Sequence, residues 1–121
     1  MERAIITISE NGTVSIPSAD IWMSEMELVE LFGVVAPTLR AAIKAIYKNS
    51  GLYPTNTQRY SSVTSTSWAT FYNLEVIIAL AFQLNTREAD MIRKRVLKSI
   101  YQRKENINLF ISFSSRLQSK S

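Results

Sequence analysis

Apolar positions along the chain change period several times, and each change marks an element. In "AIITISENGTVSIP", Ile6 and Ile8 alternate with polar neighbours, Asn11-Gly12 supplies a tight turn, and Val14 and Ile16 alternate on the return until Pro17. That pattern predicts an N-terminal β-hairpin. The period then lengthens. Leu28, Leu31 and Phe32 share one face of a helix that ends at Gly33, and Val34 follows as a buried plug. Pro37 opens a second helix, on which Leu39, Ile43 and Ile46 recur at helical spacing, and Asn49-Ser50-Gly51 closes it. Two short helices joined by a glycine-containing turn predict a helix-turn-helix over Ser24 to Asn49. Its first turn, "SEME", is a capping box: the Ser24 hydroxyl can accept from the Glu27 amide while the Glu27 carboxylate reaches back to the Ser24 amide.

Period two returns from Thr57 to Val63 and from Ser67 to Tyr72, with "TSTS" as the turn between. A hairpin directly behind a helix-turn-helix reads as a wing, and its Ser/Thr-rich tip suits hydrogen bonds to phosphate oxygens. Asn73 then caps "LEVIIALAFQL", a helix apolar nearly all round and so expected in the core or against another subunit. Thr86 caps the next helix, where Ile92, Val96 and Ile100 form a stripe, and the tail from Ile107 to Phe113 is again apolar. The expected fold is α+β: a winged helix-turn-helix core over residues 21–104, an N-terminal β-hairpin over 1–20 and a helical C-terminal extension over 105–121.

Composition narrows the function classes. The chain has 121 residues, enough for one domain with its own core. It contains neither cysteine nor histidine, which removes thiol chemistry, the usual neutral-pH proton shuttle and the commonest metal ligand. Its three glycines are scattered and form no phosphate cradle, and its two aspartates, Asp20 and Asp90, are far apart in sequence. We therefore expect no enzyme, no cofactor and no metal. No apolar run reaches the roughly 18 residues of a membrane span, and "MERAIITISENG" lacks a signal-peptide pattern, so the expected location is cytoplasmic.

The net charge of +4 conceals a gradient. Residues 1–35 carry a net −5, residues 36–86 a net +3 and residues 87–121 a net +6. Basic charge begins where the second helix of the pair begins. The acidic cluster of Glu25, Glu27 and Glu30 suits the positive end of the first helix and would repel phosphates. A basic surface favours polyanions.

Two stretches carry a family resemblance: "IWMSEMELVELFGVVAPTLRAAIKAIY" and "FYNLEVIIALAFQLNTREADMIRKRVL". With "LFGV", the helix ending "IKAI", the block "YNLEVIIA" and Arg93 after Asn85-Thr86, the chain from Trp22 to about Leu97 resembles the RhuM family of predicted bacterial DNA-binding proteins. The resemblance implies a winged-helix-like DNA-binding domain. Gln83 stands where that family often has arginine, and Arg95 where it usually has tryptophan.

The expected function is duplex DNA binding by a transcriptional regulator. Arg40 and Lys44, four apart on the second helix, would meet the major groove, where such cations read guanine. Thr38 would touch a phosphate or a thymine methyl, and Lys48 and Arg59 flanking phosphates. The alternative is a protein-interaction module, because Val35, Ala36, Pro37 and Ala41 also point outward on this helix. So small a reader gains specificity by pairing half-sites, so a homodimer closed through the C-terminal region is expected. Ile92, Val96 and Ile100 with Ile107, Phe110, Ile111 and Phe113 would supply its apolar surface, unless the tail folds back on "VIIALAF" and completes a monomeric core.

Overall fold

The computed structural model describes residues 3–118, with side chains as far as residue 102. Its elements run β1 (Thr7–Ile8), β2 (Val14–Ser15), β3 (Trp22–Ser24), α1 (Glu25–Phe32), α2 (Ala36–Asn49), α3 (Pro54–Thr57), β4 (Gln58–Ser62), β5 (Trp68–Asn73), α4 (Leu74–Gln83) and α5 (Arg87–Gln118). The fold is α+β, with two small antiparallel sheets. One is the β1–β2 hairpin; the other has the order β3-β5-β4.

The first hairpin closes through a wider loop than a two-residue turn. The Gly12 amide donates to the Ser9 carbonyl and the Ser9 amide to the Thr13 carbonyl, with Gly12 at φ +85°. This is a turn followed by a left-handed residue, a conformation glycine adopts without a Cβ penalty. The hairpin lays Ile6 and Val14 into the same core that α1, α2, α4 and α5 share. An additional parallel bridge, Ala4 to Ile21, ties the chain start to the edge of β3.

The helix pair forms as its residues dictate. The Ser24 hydroxyl accepts from the Glu27 amide at 3.3 Å, and Glu27 Oε1 accepts from the Ser24 amide at 2.9 Å. At the other end Gly33 sits at φ +64° and its amide donates to the Val29 carbonyl, which ends α1 in a left-handed cap. Val34 packs against the core but is only half-buried, not the fully buried plug its sequence position implies. Leu39, Ala42, Ile43 and Ile46 form the buried face of α2.

Between α2 and the β4–β5 hairpin lies an unexpected element, α3. Thr57, which the alternation placed at the start of a strand, ends this short helix and is 1% exposed. Its hydroxyl donates to the Tyr53 carbonyl at 2.6 Å and hydrogen-bonds the Tyr47 hydroxyl at 3.0 Å, so its burial leaves no polar group unsatisfied. Asn73 and Thr86 cap α4 and α5 through the Val76 and Ala89 amides.

Helix α4 buries Val76, Ile77, Leu80 and Ala81, but Phe82 is 52% exposed, so burial is one-sided. Arg93, half-buried, donates to the Ala81 carbonyl at 2.6 Å and the Leu84 carbonyl at 2.8 Å. A guanidinium thereby satisfies the carbonyls at the end of α4, where cations are favoured. The expected stripe on α5 divides: Ile92 and Val96 belong to the core, whereas Ile100 is 57% exposed. Ile92 and Val96 are therefore withdrawn from any surface between subunits. Residues Ile107, Phe110, Ile111 and Phe113 lie outside the residues whose side chains are described, and the boundary placed at 104/105 falls inside α5. Among the described residues no helix is long and apolar enough to cross a membrane.

Candidate nucleic-acid interface

The buried face of α2 fixes what its other face presents. Pro37, Ala41, Lys44 and Lys48 recur at spacings of four, three and four, opposite Leu39, Ile43 and Ile46, and all four are exposed. Thr38 and Arg40 are also exposed and flank this stripe on opposite sides. Val35 stands exposed at the start of the helix, while Ala36 is half-buried rather than outward.

Arg40 does not stand free over the stripe. Its guanidinium bonds Glu25 Oε1 on α1 at 2.6 Å, with 64% of the arginine side chain still exposed. The hydrogen bond and charge of Glu25 hold Arg40 above the ordinary arginine pKa, so it stays cationic. The capping box places Glu25 in the first turn of α1, and the Gly33 turn brings that end of α1 against the start of α2. The sequence reading treated the acids as capping residues and the arginine as a base reader. Folding joins the two.

Arg40 also borders a cleft of about 810 Å³ between α1, the start of α2 and the side of β5. Met26, Val29, Ala36 and Val63 make its apolar walls, and Thr70 and Tyr72 its polar floor. Burial pushes the Tyr72 hydroxyl above its ordinary pKa, reinforced by Tyr47 and Glu25 and opposed by Arg40. Tyr72 thus stays a neutral hydrogen-bonding group at neutral pH.

Arg59 is placed differently from the other four candidates. In register Arg59 faces Phe71 and Trp22 faces Asn73, so Arg59 and Trp22 share one face of the sheet. The Arg59 guanidinium lies over the Trp22 ring, 4.4 Å from its centroid. On that face Arg3 covers Phe71 at 4.8 Å and bonds Glu27 at 2.7 Å. Thr38, Arg40, Lys44 and Lys48 are therefore gathered on one helix, and Arg59 is committed to the far side of the hairpin.

The opposite face of that hairpin carries groups the sequence reading passed over. Tyr60 and Trp68 stack with centroids 5.5 Å apart and planes 20° from parallel, and they are 68% and 57% exposed. Tyr60 pairs with Thr70 and Ser62 with Trp68, so the two rings are diagonal neighbours on one face. The clue in "QRYSSVTSTSWATFY" is that both aromatics fall on one alternation phase of otherwise polar strands.

Among the described residues no group of three or more acidic or other ligating side chains is placed to hold a metal ion. Comparison of the chain with protein families, with curated proteins and with solved structures finds no match.

Proposed function

We propose that the chain binds double-stranded DNA as a winged helix-turn-helix and acts as a cytoplasmic transcriptional regulator. The order β3, α1, α2, β4, β5 with the sheet arranged β3-β5-β4 suits a winged helix, with α2 as the reading helix and β4–β5 as the wing. One observation carries the reading: Thr38, Arg40, Lys44 and Lys48 all lie on the exposed side of α2, beside a hairpin that holds no carboxylate from Gln58 to Asn73. Lys44 and Lys48 supply phosphate contacts, and Arg40 reads a base once it exchanges Glu25 for the DNA. The resemblance of Trp22 to Leu97 to the RhuM family points the same way. A dimer would pair two half-sites, with Leu97, Ile100 and Tyr101, all exposed on α5, as its described apolar surface.

A second reading rests on the cleft. Its apolar walls, with Met26 and Val35 exposed nearby and Arg40 already neutralised by Glu25, suit a protein partner on the same side of the molecule.

Salt dependence separates the two. With about two phosphate contacts, from Lys44 and Lys48, the slope of log affinity against log salt is expected to be about −1.8, since Arg59 lies over Trp22 on the far face of the hairpin. Fluorescence anisotropy with a mixed-sequence duplex measures it. Arg40→Ala and Lys44→Ala should each weaken binding, with Arg40→Ala altering sequence preference more. A flat slope, or both variants binding as the wild type does at low salt, would overturn the DNA reading and favour apolar docking.

A further inference from the structure

Tyr60 and Trp68 have more than half of their surface in water, on a hairpin that otherwise shows the solvent mostly hydroxyls. Stacking on each other covers their inner faces and helps hold β4 to β5. Their outer surfaces are left uncovered. The pair shares its sheet face with Thr70 and Tyr72, which line the same cleft as Ala36 and Arg40 of α2. The rings therefore extend the surface of the proposed reading helix away from its first turn.

The surroundings select the chemistry of an occupant. From Gln58 to Asn73 there is no carboxylate, so a phosphate backbone meets no repulsion along the hairpin. Ser62 shares the face of the rings, the turn adds the exposed hydroxyls of Thr64, Ser65, Thr66 and Ser67, and Val63 is the tip's one aliphatic side chain. An apolar protein surface would leave those hydroxyls to be desolvated without partners, which is costly. A nucleobase meets both demands, because its flat face stacks on an aromatic ring while its phosphate takes the hydroxyls. Bases within a paired duplex already stack on their neighbours, so the exposed rings suit a base that has left the stack.

We propose that Tyr60 and Trp68 form a stacking site for unpaired nucleobases, so that the chain prefers duplex DNA adjoining a single-stranded segment. The proposal rests on the DNA-binding reading, and α2 still engages the paired part. Base-on-aromatic stacking of the usual strength amounts to about a tenfold gain in affinity.

The test uses a blunt duplex and the same duplex ending in a short single-stranded run of thymidines, each titrated with the full chain. Wild type should bind the extended duplex about tenfold more tightly than the blunt one. Trp68→Ala should lose that preference and keep its blunt-duplex affinity, while Trp68→Phe, which retains a ring, should keep most of it. Should Trp68→Ala fail to fold, Trp22→Phe leaves Trp68 as the chain's one tryptophan, and its emission should be quenched more by the extended duplex. Equal affinities, or an emission that does not respond, would overturn the proposal. Blunt-duplex binding with no preference removes only the stacking site, whereas binding to neither DNA removes the DNA reading as well. Self-association lost in Trp68→Ala, with no preference between the DNAs, would assign the rings to a protein contact instead.

Discussion

The chain contains two hairpins of similar alternation and opposite use. The first, β1–β2, turns Ile6 and Val14 inward, where they are nearly inaccessible in the shared core. The second, β4–β5, is anchored at its base by Phe71 and Tyr72 and carries Tyr60 and Trp68 in the open. Period two tells which residues share a face, but not whether that face meets a core or the solvent. Burial separates a hairpin that serves the core from one that leaves its rings in the solvent.

The sharpest way to break this comparison is to remove one inward residue and one outward residue. Ile6→Ala should cost about 2–5 kcal/mol, the usual range for emptying a buried isoleucine site. Tyr60→Ala should cost only about 0.5–1.5 kcal/mol, the worth of an aromatic pair. Urea unfolding measures both, and a reversed order would mean that the second hairpin is the structural one.

Turn chemistry gives the next largest effect. Gly12→Ala forces a side chain into φ +85°, and its Cβ would meet Met91 Cε at 3.3 Å. Methionine yields readily, so the left-handed backbone dominates and a loss of about 1–2 kcal/mol is expected. Blunt-duplex affinity should be unchanged wherever the protein remains folded.

Acid pH tests the tie from Arg3, which covers Phe71 of the second hairpin, to Glu27 on α1. Burial pushes the Glu27 carboxyl up, but the Ser24 amide, the hydrogen bond and charge of Arg3 and the Ser24 hydroxyl together bring it below its ordinary 4.5. A carboxylate lowered by folding stabilises fully above its ordinary value, and that contribution disappears as pH falls through the lowered one. Wild type should lose stability below about pH 4.5 more steeply than Glu27→Gln, as urea midpoints across acid pH would show. Parallel acid limbs would show that the Arg3–Glu27 tie adds nothing.

The smallest effect concerns the proposed reading helix. Glu25→Gln frees Arg40 from an exposed ion pair and removes a charge that repels phosphate. Duplex affinity should rise about two- to fivefold, in keeping with the weakness of exposed pairs. An unchanged or lower affinity would show that Glu25 orients Arg40 for DNA instead of withholding it.

Local elements were legible in the sequence because their causes are local. The capping box at Ser24, the left-handed cap at Gly33, the proline in the first turn of α2 and the caps at Asn73 and Thr86 each involve groups within four residues of one another. Their geometry follows from backbone sterics and short-range hydrogen bonding whatever surrounds them. The α+β class and the helix-turn-helix spacing follow from the same local signals.

Tertiary structure decided which charges and rings are available. Arg40 and Glu25, 15 positions apart, pair only because the Gly33 turn folds α1 against α2. Arg93 spends its charge on the end of α4, and Arg59 lies over Trp22 from two strands away. Ile92 and Val96 entered the core while Ile100, on the same periodic stripe, stayed out. Thr57 became buried because Tyr47 and Tyr53 could satisfy its hydroxyl. Periodicity records each residue's phase within its own element. Which neighbour meets that phase depends on contacts distant in sequence, and those decide which groups are left on the surface.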